Sequence, residues 1–355
     1  MFKVFSIASL LQLGTIDSAS TFTCRGYYEQ PLADGTSIRI GCIREHGVVD
    51  ARRILQYSCN AGAAYASDTA TNDAFAAALA RFGFGRKTGV PLPGESAGLL
   101  APVAKWSARS KATIAFGQEV SASALQVAAA AVAIANGGTL LEPLVVSRIV
   151  APDGNVVKAF GRKPLWEAVS AQTARQVLDM LESATGEGGT ARRAAIEGLR
   201  ISAKTGTAQV TDPATGKYSE SDFIASLLGI FPTGDPEVVV YVVIQNPHGE
   251  SYFGSTIAAP VFRDVALELV DALGIAREGE PREARAGTVD VSAPAPATIG
   301  DVMPDLAGTA KRLLLPLLAR DDLKVVLRGS GTVVRQEPPP GTPVTTGMRI
   351  VLELE

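Results

Sequence analysis

The chain has 355 residues, enough for two domains, and 46% of them are hydrophobic, so a sizeable core can be buried. Charged residues make up 19% and the net charge is −3. With no basic run and no aromatic–basic interleaving, composition excludes a nucleic-acid partner.

Met1-Phe2-Lys3-Val4-Phe5 runs into Ile7, Leu10 and Leu11, which predicts an amphipathic helix over residues 1–13, stopped by Gly14. It is not a signal peptide, because its positive region is one lysine and no small-residue cleavage site closes it. The next apolar stretch, residues 125–135, falls short of the ~20 residues a bilayer demands, so no membrane anchor is expected in this chain.

Residues 21–43 read as a β-hairpin, with strands at 21–24 and 37–43 and turn residues Asp34-Gly35. Helices are expected at 49–56 and 73–82, and the Gly/Pro-rich residues 83–119 read as a long connection. Ser121 or Ser123 caps a helix ending at Asn136-Gly137-Gly138, and Ser170 caps another that runs to about residue 184. Between them lie short strands at 145–150 and 156–160, joined by the turn Pro152-Asp153-Gly154-Asn155.

Three strand-like runs follow, at 199–208, 223–231 and 238–245, and then a helix over 257–273. The run 238–244 is apolar on both faces and is expected to be central and buried. Helices before and after an antiparallel sheet argue for an α+β sandwich. Residues 274–297, with Arg/Glu alternation and then Ala-Pro-Ala-Pro, read as a linker. The last unit, from residue 298, has a helix at 307–319 and strands ending in Arg349-Ile350-Val351-Leu352.

Cys24, Cys42 and Cys59 show no C-x-x-C spacing, and the histidines are His46 and His248, so spacing speaks against a structural zinc. No metal or cofactor is expected. Cys24 and Cys42 flank the expected hairpin; the sequence leaves open whether they pair or stay reduced.

Chemistry concentrates at Lys204-Thr205-Gly206-Thr207-Ala208, on an alternating strand with Leu199, Ile201 and Ala203 on one face. Lys204 offers fixed positive charge, Thr205 and Thr207 offer hydroxyls for a carboxylate, and Gly206 admits a ligand backbone. The Thr207 N–H is a candidate oxyanion donor. A second copy, Lys87-Thr88-Gly89, has no strand context and reads as a turn. Its neighbours Gly83 and Gly85 imitate a dinucleotide fingerprint but lack the strand-to-helix setting. Ser58-Cys59-Asn60 is an S-x-N triplet whose bland reading is a helix terminus with Asn60 capping the next segment.

K-T-G and S-x-N, with an S-x-x-K, resemble the signature of penicillin-binding proteins. Longer stretches extend the resemblance: Phe116-Gly117-Gln118-Glu119 followed by Ser121, Leu125-Gln126 and Ala135-Asn136-Gly137-Gly138; Glu187-Gly188-Gly189-Thr190-Ala191; and Ala258-Ala259-Pro260-Val261-Phe262. Residues 1–273 are similar to a class B penicillin-binding protein of the division or elongation type. Val302-Met303-Pro304-Asp305-Leu306 and Gln336-Glu337-Pro338-Pro339-Pro340-Gly341 resemble a PASTA domain over residues 298–355.

The resemblance implies an antiparallel sheet covered by helices, as in serine β-lactamases and transpeptidases, plus a small α+β PASTA unit. It implies D,D-transpeptidation of peptidoglycan stem peptides through an acyl-serine, and acylation by β-lactams. It further implies the extracytoplasmic face of the bacterial membrane and a membrane glycosyltransferase as partner. Lys3 matches the S-x-x-K lysine, Ser58 the proton relay, Asn60 the substrate-amide ligand and Lys204 the K-T-G cation. No lysine here has a serine three residues before it; the matching serine would lie just before Met1, and Ser6 and Ser9 fall past Lys3. An internal methionine taken as the start is one account, a non-catalytic stem-peptide-binding remnant another. A D,D-carboxypeptidase or β-lactamase is a lesser alternative, which the PASTA unit and linker weaken.

Overall fold

A computed structural model describes residues 1–211, 218–249, 251–278 and 296–355. The chain forms two compact units, Met1–Glu283 and Ala284–Glu355.

The first unit is built around helix α1 (Lys3–Gln12), whose residues 3–10 are all buried. Helices α2 (Ala51–Tyr57), α3 (Asn60–Ser67), α4 (Asn72–Arg81), α5 (Ser110–Phe116), α6 (Ala124–Ala135) and α7 (Ala171–Glu182) make up the helical layer. α1 packs on α2, α3, α4, α5 and α7. Phe2 and Phe5 pack against Phe82 and Phe84 at its start in tilted and edge-to-face contacts, with ring centroids 4.9–5.3 Å apart.

The expected hairpin is paired differently. The Asp34-Gly35 turn closes Tyr27–Pro31 on Ser37–Gly41, while Thr21–Cys24 pairs antiparallel with Gly47–Asp50. The register sets Tyr28 opposite Ile40, and both are buried. Residues 49 and 50 are therefore strand. Asp50 caps α2 by accepting from the Arg53 N–H at 2.7 Å, which starts that helix at Ala51.

The stretch 83–119 is not one connection, because it contains α5, whose sequence Ser-Lys-Ala-Thr-Ile-Ala-Phe carries no strong cap signal. Gly117 ends α5 in the left-handed region (φ 102°), and a Cβ there would lie 2.8 Å from the Cβ of Phe2. Ser123, not Ser121, caps α6 in a reciprocal box with Gln126. The Gln126 amide then donates to the carbonyls of Arg86 and Ala97, at 2.8 and 2.9 Å, and so ties the connection down.

The sheet has three antiparallel strands in the order Ser202–Thr211, Tyr218–Phe231, Val238–Gln245. Tyr218–Phe231 is the central strand, so Val238–Gln245 is an edge among the described residues and its side chains are half-buried or exposed. Its two-sided apolar character has another cause. Val239 and Tyr241 pack on the helical core, whereas Val238, Val240, Val242 and Ile244 pack with helix α8 (Ala258–Leu273) on the opposite face. Both faces are covered although the strand is an edge among the described residues.

Residues at both ends of the expected linker belong to the folded units. Ile275 is buried with α8, the Glu278 N–H donates to the Gly198 carbonyl at 2.7 Å, and the Ala297 N–H donates to the Leu313 carbonyl at 2.9 Å. Residues 279–295 lie outside the described residues.

In the second unit Leu323–Gly329 pairs parallel with Met348–Leu354, which pairs antiparallel with Val333–Glu337. Its expected long helix is a single turn, α9 (Lys311–Leu314), continued by the 3₁₀ segment Leu315–Ala319, where Pro316 cannot extend an α-helical ladder.

Gly117→Ala should lower stability by about 1–3 kcal/mol, since it imposes both a disfavoured φ and a close contact on Phe2. Chemical denaturation, monitored by tryptophan fluorescence, measures the change. An unchanged midpoint would show that α1 does not require this approach.

Candidate active site

The site begins at the first turn of α1, where burial of the helix carries Lys3 into the protein. The Lys3 ammonium donates to Ser58 Oγ at 3.4 Å and lies 5.8 Å from the centroid of the Phe116 ring.

Ser58 stands between α2 and α3 in the left-handed conformation, with φ 58° and ψ 40°. This single residue reverses the chain so tightly that Asn60 already opens the next helix. The bland reading of the triplet as a helix terminus holds, but Cys59 and not Asn60 caps the next helix, and the terminus is what aims Ser58 at Lys3. Three further hydrogen bonds hold the end of α2. The Gln56 amide donates to the Glu187 carbonyl at 3.1 Å, and the Thr190 N–H and hydroxyl both reach the Gln56 carbonyl at 3.2 Å. The glycine-containing loop at 187–190 thus braces the Ser58 turn from outside the helix. The Asn60 side-chain amide makes no hydrogen bond among the described residues and is open to a ligand.

Lys204 is fully buried on the edge strand of the sheet, and its ammonium donates to the Thr205 carbonyl at 3.2 Å. Burial, then the charge of Lys3, holds its pKa well below the ordinary lysine range. Burial likewise lowers Lys3 to about 8, against the opposing pull of Cys42 and Cys59. Burial thus moves both lysines toward the range in which an amine can give and take a proton, and the charge of Lys3 adds to the effect on Lys204.

Gly206 sits opposite Ser226 in the strand register. A Cβ on Gly206 would come within 2.5 Å of Ser226 Oγ and 2.9 Å of the Met1 Cβ, so the K-T-G strand and the start of α1 are in close apposition. Thr205 is buried, whereas Thr207 is exposed and its hydroxyl accepts from the Gly254 N–H at 3.1 Å. Lys3, Ser58 and Lys204 are brought together, with Asn60 and residues 205–207 at the margin. The copy at Lys87-Thr88-Gly89 is a loop in which the Thr88 N–H and hydroxyl donate to Glu95 at 2.6 Å.

Sequence reading missed Ser226, which no motif marks, and quoted Phe116 within a motif stretch without placing its ring beside Lys3. It also missed what surrounds Cys59. The three cysteines are free thiols, so Cys24 and Cys42 are not joined. The chain spacing that spoke against a metal site does not hold in space: Cys24, Cys42, Cys59 and His46 place their donor atoms within 4.8 Å of one another.

Residues 1–267 match the penicillin binding protein transpeptidase domain, and residues 301–355 match the PASTA domain. The chain is 33% identical to the stage V sporulation protein D of Bacillus subtilis, over 98% of this chain and 52% of that protein. It is 30% identical to the probable peptidoglycan D,D-transpeptidase PenA of Neisseria flavescens, over 82% of this chain and 67% of that one. Among solved structures, penicillin-binding protein 3 of Mycobacterium tuberculosis complexed with aztreonam superposes with a TM-score of 0.69 at 29% identity, covering 79% of this chain and 63% of that chain. The chain therefore belongs to the penicillin-binding protein transpeptidase family and carries a C-terminal PASTA domain. It spans about half the length of the sporulation relative.

Because Lys3 is lowered from 10.5 to about 8, the unfolded chain binds more protons than the folded one between those values. Lys3 then makes the folded state more stable as pH rises through that window. In carbon-13 spectra of lysine-labelled protein, one side-chain resonance should titrate near pH 8 and vanish in Lys3→Arg. A Lys3 midpoint above 10 would refute the assignment.

Proposed function

We propose that the chain carries the base, relay and substrate-anchoring groups of a peptidoglycan D,D-transpeptidase. The observation that carries this reading is the Lys3 to Ser58 contact of 3.4 Å beside a fully buried Lys204. Supporting it are the family match and the D,D-transpeptidase name of the Neisseria relative.

The nucleophile in this reading is a serine that directly precedes Met1 in a chain extended upstream. It would stand three residues before Lys3, one helical turn away. Neutral Lys3 takes the serine proton as the oxygen attacks the penultimate D-Ala carbonyl. The C–N bond to the terminal D-Ala breaks, that amine leaves with a proton relayed through Ser58, and an acyl-serine remains. The amine of a neighbouring stem then displaces the serine and forms the cross-link. Asn60 binds the stem amide, while Lys204, Thr205 and Thr207 hold the terminal carboxylate. Gly206 leaves room for the peptide backbone.

β-Lactams enter the same route, in line with the aztreonam complex of the mycobacterial relative. The work takes place on the extracytoplasmic side of the membrane, where a membrane glycosyltransferase supplies the glycan strands and the PASTA unit touches peptidoglycan.

Fluorescent penicillin tests the reading. A chain extended upstream, with serine directly before Met1, should label covalently, and Lys3→Ala or Lys204→Ala should slow labelling about 100-fold or more. Labelling of the 355-residue chain itself, or undiminished labelling of the Lys3 variant, would refute the assignment.

A further inference from the structure

The S-x-N triplet carries a cysteine at its middle position, and that cysteine is not alone. Cys42 Sγ lies 3.8 Å from Cys59 Sγ. His46 Nδ1 lies 3.6 Å from Cys24 Sγ and 3.6 Å from Cys42 Sγ. All four donor atoms fall within 4.8 Å of one another. A tetrahedral zinc with Zn–S of about 2.3 Å and Zn–N of about 2.0–2.1 Å sets sulfurs roughly 3.8 Å apart and sulfur–nitrogen pairs roughly 3.6 Å apart. The Cys42–Cys59, Cys24–His46 and Cys42–His46 separations match those edges.

We propose that Cys24, Cys42, His46 and Cys59 form a structural Zn²⁺ site that fixes the Ser58 turn. The donors come from three elements far apart in sequence: the end of the Thr21–Cys24 strand, the loop that follows Ser37–Gly41, and the start of α3. This explains why no ligand spacing shows in the sequence. Four donors close a tetrahedron, as in structural rather than catalytic zinc sites.

The surroundings are those of metal-bound thiolates. Cys42 Sγ accepts from the Asn60 N–H and Cys59 Sγ from the Gly62 N–H, each at 3.2 Å. The His46 ring lies flat on Tyr57, with an interplanar angle of 4° and centroids 5.7 Å apart, which orients the imidazole. Tyr57 and Asn60 flank Ser58-Cys59, so the metal would grip the turn from both sides. A pair of free thiols this close to a strained residue is otherwise a weak point. Binding one Zn²⁺ releases the protons held by the three thiols and leaves a neutral imidazole as the fourth ligand.

The site stands on its own geometry and does not depend on the transpeptidase reading. The 355-residue protein, purified under reducing conditions and dialysed against zinc, should hold one equivalent by plasma mass spectrometry. Replacing zinc with Co²⁺ should give the thiolate-to-cobalt charge-transfer and visible bands of a tetrahedral S₃N site. Cys42→Ser and His46→Gln should each weaken zinc binding about tenfold or more in competition with a chelating dye. His46 is half-buried and outside the core, so its variant keeps the test open if a cysteine variant fails to fold. A reduced protein that takes up no zinc or cobalt overturns the proposal. So does octahedral cobalt, or a Cys42–Cys59 disulfide that resists reduction and excludes the metal.

Discussion

The first unit depends on a helix with no solvent face over most of its length. Helix α1 is ringed by five other helices and buried at every position from Lys3 to Leu10. A helix buried all round must be apolar, or its polar groups must be matched inside the protein. Ala8, Ser6 and Ser9 keep it slim enough for close neighbours, and the hydroxyls of Ser6 and Ser9 have no hydrogen-bond partner among the described residues. Lys3 is the exception that matters. It is held where an ammonium is poorly solvated, and the cost appears as a depressed proton affinity that chemistry can use.

Around that helix, three separate devices converge on one turn. The Asp50 cap fixes the start of α2, the 187–190 loop braces its end, and the cysteine–histidine cluster clasps the start of α3. None of these groups touches Lys204, yet each limits where Ser58 can stand. Lys204 is positioned separately, by the register of the sheet. The site therefore forms where a helical layer and a sheet layer meet, each rigid for its own reasons.

Much of this was legible from residues. The helix at Lys3, the strand at Lys204, the turn at 152–155 and the Ser170 cap follow from periodicity and punctuation. What escaped the sequence is instructive. Helix α3, Asn-Ala-Gly-Ala-Ala-Tyr-Ala-Ser, is too small-sided for a hydrophobic stripe to show, because it packs by close approach rather than by bulk. The pairing of residues 21–24 with 47–50 was hidden because two nested strand pairs share one region, and the nearest turn signal serves only the inner pair. The run 238–245 reads as central because apolar residues on both faces report covered faces and say nothing about edges. The cysteine–histidine cluster was invisible because motif spacing describes ligands on one loop, and here they arrive from three places.

The conformation of Ser58 has one more consequence. A non-glycine residue at φ 58° carries local strain of about 1–3 kcal/mol. Glycine would relieve that strain but would remove the hydroxyl that Lys3 reaches. Thermal robustness and reactivity thus pull this position in opposite directions, and selection for a sturdier fold alone would erase the side chain that the site needs. A screen that ranked variants only by melting temperature would favour the loss of this residue.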